Sequence, residues 1–90
     1  MPRISEFFGI DIYLYYSDTS RHSRPHFHAS YGDSEAVYSI PDGNLMAGSL
    51  PKRQHRMVQR WANLRSKELE QAWNRAVSMQ EPGVIQPLER

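Results

Sequence analysis

The sequence predicts an α+β domain, a small mostly antiparallel sheet followed by two C-terminal helices packed on one face. Three observations carry this. Residues Ile10–Tyr16 alternate in polarity with period two. Turn signals break the chain at Gly32-Asp33 and at Pro41-Asp-Gly-Asn44. At Ser49 the apolar period changes to that of a helix.

The elements follow in order. Ile4 with Phe7-Phe8 forms a short first strand, and Gly9 bends or bulges the chain before the next. Ile10, Ile12, Leu14 and Tyr16 share one face of a strand, with Asp11, Tyr13 and Tyr15 on the other. Residues 17–25 are polar apart from Pro25, which excludes a helix there. Phe27–Tyr31 reads as a strand and Glu35–Ile40 as the next. Leu45–Ala47 is a short last strand ended by Gly48. Ser49 is a candidate N-cap and Pro51 suits a first helical turn. Leu50, Met57, Val58, Trp61, Ala62 and Leu64 then line one broad side of a helix to about Leu64. Leu69, Ala72, Trp73, Ala76 and Val77 line a second helix, for which Ser66 is a candidate cap. Pro82-Gly83 ends helical structure. The domain is expected over 1–80, with 81–90 either a mobile tail or an extended segment added at the sheet edge.

Ninety residues suffice for one small domain with a folding margin of roughly 3–8 kcal/mol. The absence of cysteine excludes disulfides, thiolate metal sites and a cysteine nucleophile. No apolar run approaches the ~18 residues of a membrane span. The N-terminus lacks a signal-peptide core, so a cytoplasmic address is expected. The net charge of +1 conceals a segregation: the stretch 51–67 holds Lys52, Arg53, Arg56, Arg60, Arg65 and Lys67 and no acidic residue. Such a run attracts phosphates or an acidic protein surface, or is simply solvated.

Two candidate sites emerge. His26 and His28 share one face of their strand, opposite Phe27 and Ala29. With Phe27 buried, both imidazoles turn to solvent. They admit three readings. They are ordinary half-exposed histidines bonded to a backbone carbonyl or a tyrosine hydroxyl. They bind zinc or manganese together with His22, with Asp18 or Asp33 as further ligands. Or they contact phosphate, and as an acid–base pair cleave RNA, with Arg24 or Lys52 stabilising the phosphorane. That last design needs the histidines and the basic helix on the same side of the domain. The second candidate is the helix face of Lys52, Arg53, Arg56 and Arg60, which spans about 100° of the helical wheel. Tyr13, Tyr15 or Tyr31 would supply base stacking if its partner is single-stranded nucleic acid. Trp61 and Trp73 are assigned to the core. Tyrosines on both faces of the Ile10–Tyr16 strand suggest that the second face meets another copy of the chain or a partner protein.

Met1-Pro-Arg-Ile-Ser-Glu-Phe-Phe-Gly-Ile10, Pro25-His-Phe-His-Ala29 with Tyr31-Gly32, and Gly48-Ser-Leu-Pro-Lys-Arg53 with Val58 and Trp61-Ala62 resemble the bacterial family catalogued as domain of unknown function 4160. The resemblance covers residues 1 to about 80. It implies a small stand-alone protein, encoded beside a second small protein in an arrangement like a toxin–antitoxin pair. No enzymatic activity is established for that family, so the resemblance points to none in particular. The family's Asp-His-x-Pro-Pro-His-Phe-His stretch falls on Asp18 and Pro25–His28, with His22 the best match for its first histidine. Here the chain departs, with extra residues Thr19–Arg21 and with Arg24 in place of the first proline. The expected function is a cytoplasmic binding or regulatory module. It would meet an acidic protein, encoded by a neighbouring gene, or nucleic acid, through Lys52, Arg53, Arg56 and Arg60. No cofactor is expected. The alternative is a small ribonuclease with His26, His28 and Arg24 as catalytic residues, metal-assisted through His22, His26 and His28.

Overall fold

A computed structural model of the chain describes residues 3–15 and 24–89. Five strands run β1 (Arg3–Phe7), β2 (Ile10–Tyr13), β3 (His26–Tyr31), β4 (Ser34–Ser39) and β5 (Leu45–Gly48). Two helices follow, α1 (Lys52–Leu64) and α2 (Ser66–Val77). The strands form one antiparallel sheet in sequence order, and both helices pack on the same face. Two of the links, Phe8-Gly9 and Gly32-Asp33, are two residues long and make hairpins of β1–β2 and β3–β4; the longer links, 14–25 and 40–44, also join neighbouring strands.

Period two decides what is buried. Ile10, Ile12 and Leu14 are fully buried, as are Phe27, Ala29 and Tyr38, while Asp11, Tyr13, His26 and His28 alternate to the other face. The pairs Ile12↔Ala29 and Ala29↔Ala36 carry the inner face across three strands. The parallel row on the outer face is Tyr13↔His28↔Val37. In β1 the register shifts between Arg3 and Ser5, so that Ile4 and Ser5 are both buried.

Helix α1 lays Val58, Trp61 and Ala62 on the sheet, and α2 adds Leu69, Ala72, Trp73 and Ala76. Trp61 is wholly buried, with its ring 5.3 Å from Phe7 and 5.5 Å from Phe27. Two residues expected on the apolar stripes lie outside them: Leu64 is 58% and Val77 50% exposed. At ~100° per residue each falls on the flank of its stripe, and each is the last residue of its helix. The expected caps also differ. Pro51 occupies the N-cap of α1 without a side-chain bond, and Ser49 instead donates its N–H to Glu35 O at 3.1 Å. Ser66 is the first residue of α2, and Arg65 precedes it at the cap. Strand β2 ends at Tyr13, although Leu14 and Tyr15 keep the alternation; Tyr16 and the 17–23 stretch lie outside the described residues.

The segment after α2 lies back across the domain. Pro82, Ile85 and Leu88 are buried, and the Ile85 N–H donates to Ile4 O at 2.7 Å, along the outer edge of β1. Trp61 Nε1–H donates to Gln86 O at 2.9 Å. Arg65 donates to Gln86 O and Pro87 O, both at 3.1 Å, and Arg75 to Pro82 O. The extended segment anticipated at the sheet edge is thus a single bond at Ile85, flanked by side-chain donors from both helices.

Candidate functional site

His26 and His28 point to the outer face of the sheet because Phe27 and Ala29 take the inner one. Their ring centroids are 5.4 Å apart. The His26 Nδ1–H donates to Arg24 O at 2.7 Å, which in the neutral ring makes Nε2 the basic nitrogen. The same ring lies 5.3 Å from Trp73. His28 stands edge-on to Tyr15 at 4.5 Å, and its Nδ1 is 3.8 Å from the Glu35 carboxylate. Tyr13 stacks on Tyr15 at 6.0 Å. The outer face therefore carries a half-buried row of aromatic and imidazole rings.

Of the expected metal set, His22 and Asp18 lie outside the described residues. Among the described residues no group of three or more His, Asp or Glu side chains is placed to hold a metal ion. Tyr31 leaves the row of stacking candidates. It has the parity of Phe27 and Ala29, is partly buried against the core, and its ring edge closes on Gly9.

The basic residues lie elsewhere. Helix α1 faces the inner side of the sheet, where Trp61 meets Phe27 and His55 meets Tyr38. Arg53, Arg56 and Arg60 are exposed on the side of α1 away from the sheet. Neither His26 nor His28 lines the groove of these arginines, and the helix that the His26 ring meets is α2, at Trp73, so the ribonuclease design draws no cation from α1 there. The three arginines line one groove of about 390 Å³ with Met57, Phe8, Leu88 and Glu89. Lys52 does not join them. It lines a separate depression with Leu45, Ser49, Leu50 and His55.

Two of the lining residues come from places that helical periodicity does not reach. Leu88 is brought in by the returning C-terminal segment. Phe8 sits in the β1–β2 hairpin, where Phe7 pairs with Ile10 across a two-residue link. Phe8 has φ +51° and Gly9 φ +79°, the paired positive values of a type I′ turn. The first position of such a turn favours Asn, Asp or Gly, and a bulky residue there stores roughly 1–3 kcal/mol of backbone strain. Phe8 is also 41% exposed. The signal was present in the sequence: Phe8-Gly9 between two apolar segments is a two-residue hairpin link with the wrong residue in its first place.

His55 is a second residue that the sequence reading passed over. Burial pushes the Tyr38 phenol up to about 12, so it keeps its proton, and its hydroxyl shares a hydrogen bond with His55 Nδ1 at 2.9 Å. This bond fixes α1 over β4 and gives Tyr38, wholly buried, a partner for its hydroxyl.

The architecture defines a class, a single antiparallel meander capped on one face by two helices, with a basic groove on the outer side of the first helix. The family model described as domain of unknown function (DUF4160) matches residues 9–74, and the chain belongs to that family. No curated protein and no solved structure matches the chain. Among the described residues no helix is long and apolar enough to cross a membrane.

Proposed function

We propose that this chain is a binding module which captures an acidic protein partner on the outer face of α1, as one member of a two-gene, toxin–antitoxin-like pair in the cytoplasm. One observation carries the reading: Arg53, Arg56 and Arg60 line a single groove together with Phe8, Met57 and Leu88, and Glu89 is the one carboxylate among its lining residues. Three guanidiniums outnumber that carboxylate, and they present fifteen N–H donors in the planar geometry that carboxylates match. An acidic protein segment supplies carboxylates and apolar contacts together. Charge complementarity of this kind sets which partner is chosen and how fast it arrives.

The test is co-purification with the protein encoded by the neighbouring gene. The parent is expected to retain it, and the triple variant Arg53→Glu, Arg56→Glu, Arg60→Glu to lose it with an unchanged melting curve, because all three side chains are exposed. Retention by the triple variant would exclude this face as the interface.

A histidine-dependent ribonuclease is the second reading, supported by the 5.4 Å ring pair of His26 and His28 beside Arg24. It draws no help from α1, so Arg24 alone among the proposed cations would stand near the phosphate. Purified protein incubated with single-stranded RNA, with and without zinc or manganese, tests it. Cleavage by the parent that a His26→Ala, His28→Ala double variant loses would establish the enzyme. No cleavage is the expected result.

A further inference from the structure

We propose that the pocket between α2 and the ends of β3 and β4 binds the guanidinium of an arginine side chain carried by a partner protein. This goes beyond the reading of the α1 face and does not depend on it, because the pocket shares no lining residue with the α1 groove. The pocket has a volume of about 300 Å³ and is lined by Pro25, Ile40, Pro41, Glu70, Trp73 and Asn74. That is the small end of ligand pockets and suits a single side chain. Glu70, Trp73 and Asn74 stand at i, i+3 and i+4 on α2, so the helix itself brings them to one face. The opposite wall is tied together, since the Ile40 N–H donates to Pro25 O at 2.8 Å and joins the residue before β3 to the residue after β4. Trp73 is 8% exposed, and its ring lies 5.3 Å from that of His26. The walls are therefore set before anything binds.

Three features select the ligand. Glu70 is the one charged residue of the lining, and it has no ion pair or side-chain hydrogen bond among the described residues. Lys67, one turn earlier on α2, and Arg24, beside Pro25, do not line the pocket. The charge of the site therefore favours a cation. The strand-end wall offers no backbone donor, because Pro25 and Pro41 have no N–H and that of Ile40 is spent on Pro25 O. A group that only donates hydrogen bonds suits such a wall. The remaining surface is the Trp73 indole and the two proline rings. A planar, weakly hydrated guanidinium stacks on flat surfaces of this kind and meets a carboxylate through two N–H groups, whereas a lysine ammonium is a strongly hydrated point charge. A free amino acid would bring an α-carboxylate, for which the lining holds no cation. An arginine within a polypeptide brings none.

Titration of the isotope-labelled full chain with N-acetyl-arginine methylamide, at fixed ionic strength and followed by nuclear magnetic resonance, tests the proposal. The Trp73 indole resonance is expected to shift saturably, with a dissociation constant on the order of millimolar for one side chain. The Trp61 indole, wholly buried and bonded to Gln86 O, should stay where it is. The citrulline counterpart, of nearly the same shape but neutral, should bind about tenfold more weakly or worse. Glu70→Gln should weaken the arginine compound by about fivefold with an unchanged melting curve, because Glu70 is exposed. No saturable shift at Trp73 would overturn the proposal. So would citrulline binding as well as arginine, or a Glu70→Gln variant that binds as the parent does. Equal binding of the lysine counterpart would overturn the choice of guanidinium and leave a pocket for cations in general. Free arginine binding as tightly as the capped residue, or more tightly, would overturn the protein source and assign the pocket to a small molecule.

Discussion

Gly48→Ala is expected to abolish cooperative folding. A Cβ at this position would lie 2.2 Å from Glu35 O and 3.1 Å from Ala36 Cα, both backbone atoms of the neighbouring strand. Neither can rotate away as a side chain could. Gly48 also has φ +69°, where an L side chain is strained even in open space. Relief requires β5 to part from β4, which breaks the Ala36↔Gly48 pairing and the Ser49 N–H bond to Glu35 O. It also moves the link that delivers α1 to the sheet. A cost above roughly 4 kcal/mol belongs to this kind of change and consumes most of the margin of a small domain. Gly32→Ala is the matched control. Its φ is +58°, but nothing lies within 4 Å of its Cβ, so it should cost only about 1 kcal/mol. Thermal melts followed by circular dichroism compare the two. If Gly48→Ala melts alongside Gly32→Ala, the close approach of β5 to Glu35 is not part of the stable fold.

What was legible in the sequence, and what was not, divides along physical lines. Alternation fixed the faces of Ile10–Leu14 and of His26–Ala29, because burying one residue of a strand commits its neighbours. The apolar stripes of α1 and α2 were legible for the same reason at period 3.6, and only flank residues such as Leu64 and Val77 were misplaced. Contacts between distant segments carried no such signal. The groove joins a hairpin tip, the outer face of a helix and a C-terminal segment without periodicity, so Phe8 and Leu88 could not be grouped with Arg53, Arg56 and Arg60. Gly48 read only as the end of a strand, because the approach of Glu35 O is a property of the paired sheet. The contact of the His26 ring with Trp73 of α2 depends on where the second helix ends up over the sheet, and a linear pattern leaves that open.

Trp61→Ala should have the next largest effect, and its conservative counterpart separates two roles of the residue. The indole is wholly buried between Phe7 of β1 and Phe27 of β3, and its N–H reaches Gln86 O at 2.9 Å. One side chain thus ties a helix, two strands and the C-terminal segment together. Truncating a core Trp to Ala costs about 3–5 kcal/mol. For a domain of this size that lowers the melting point by roughly 15 °C or more, or leaves no transition at all. Trp61→Phe keeps most of the packing and removes the N–H. It leaves the Gln86 carbonyl its bond from Arg65 Nε. The expected loss is about 1 kcal/mol beyond the lost ring volume, and it should fall mainly on the segment after α2. Amide hydrogen exchange reads that directly at Ile85, whose N–H is held by Ile4 O at 2.7 Å. In the parent, Ile85 is expected to exchange nearly as slowly as Ile12 in the centre of the sheet, since Ile85 is itself buried and its segment is held by Arg65 and Arg75 as well as Trp61. In Trp61→Phe its exchange should accelerate while Ile12 changes only with global stability. Equal acceleration at both sites would mean that the indole N–H acts on the whole domain and not on its C-terminal strap. Fast exchange at Ile85 in the parent would make residues 81–90 a loosely attached tail, and would remove Leu88 from the wall of the groove.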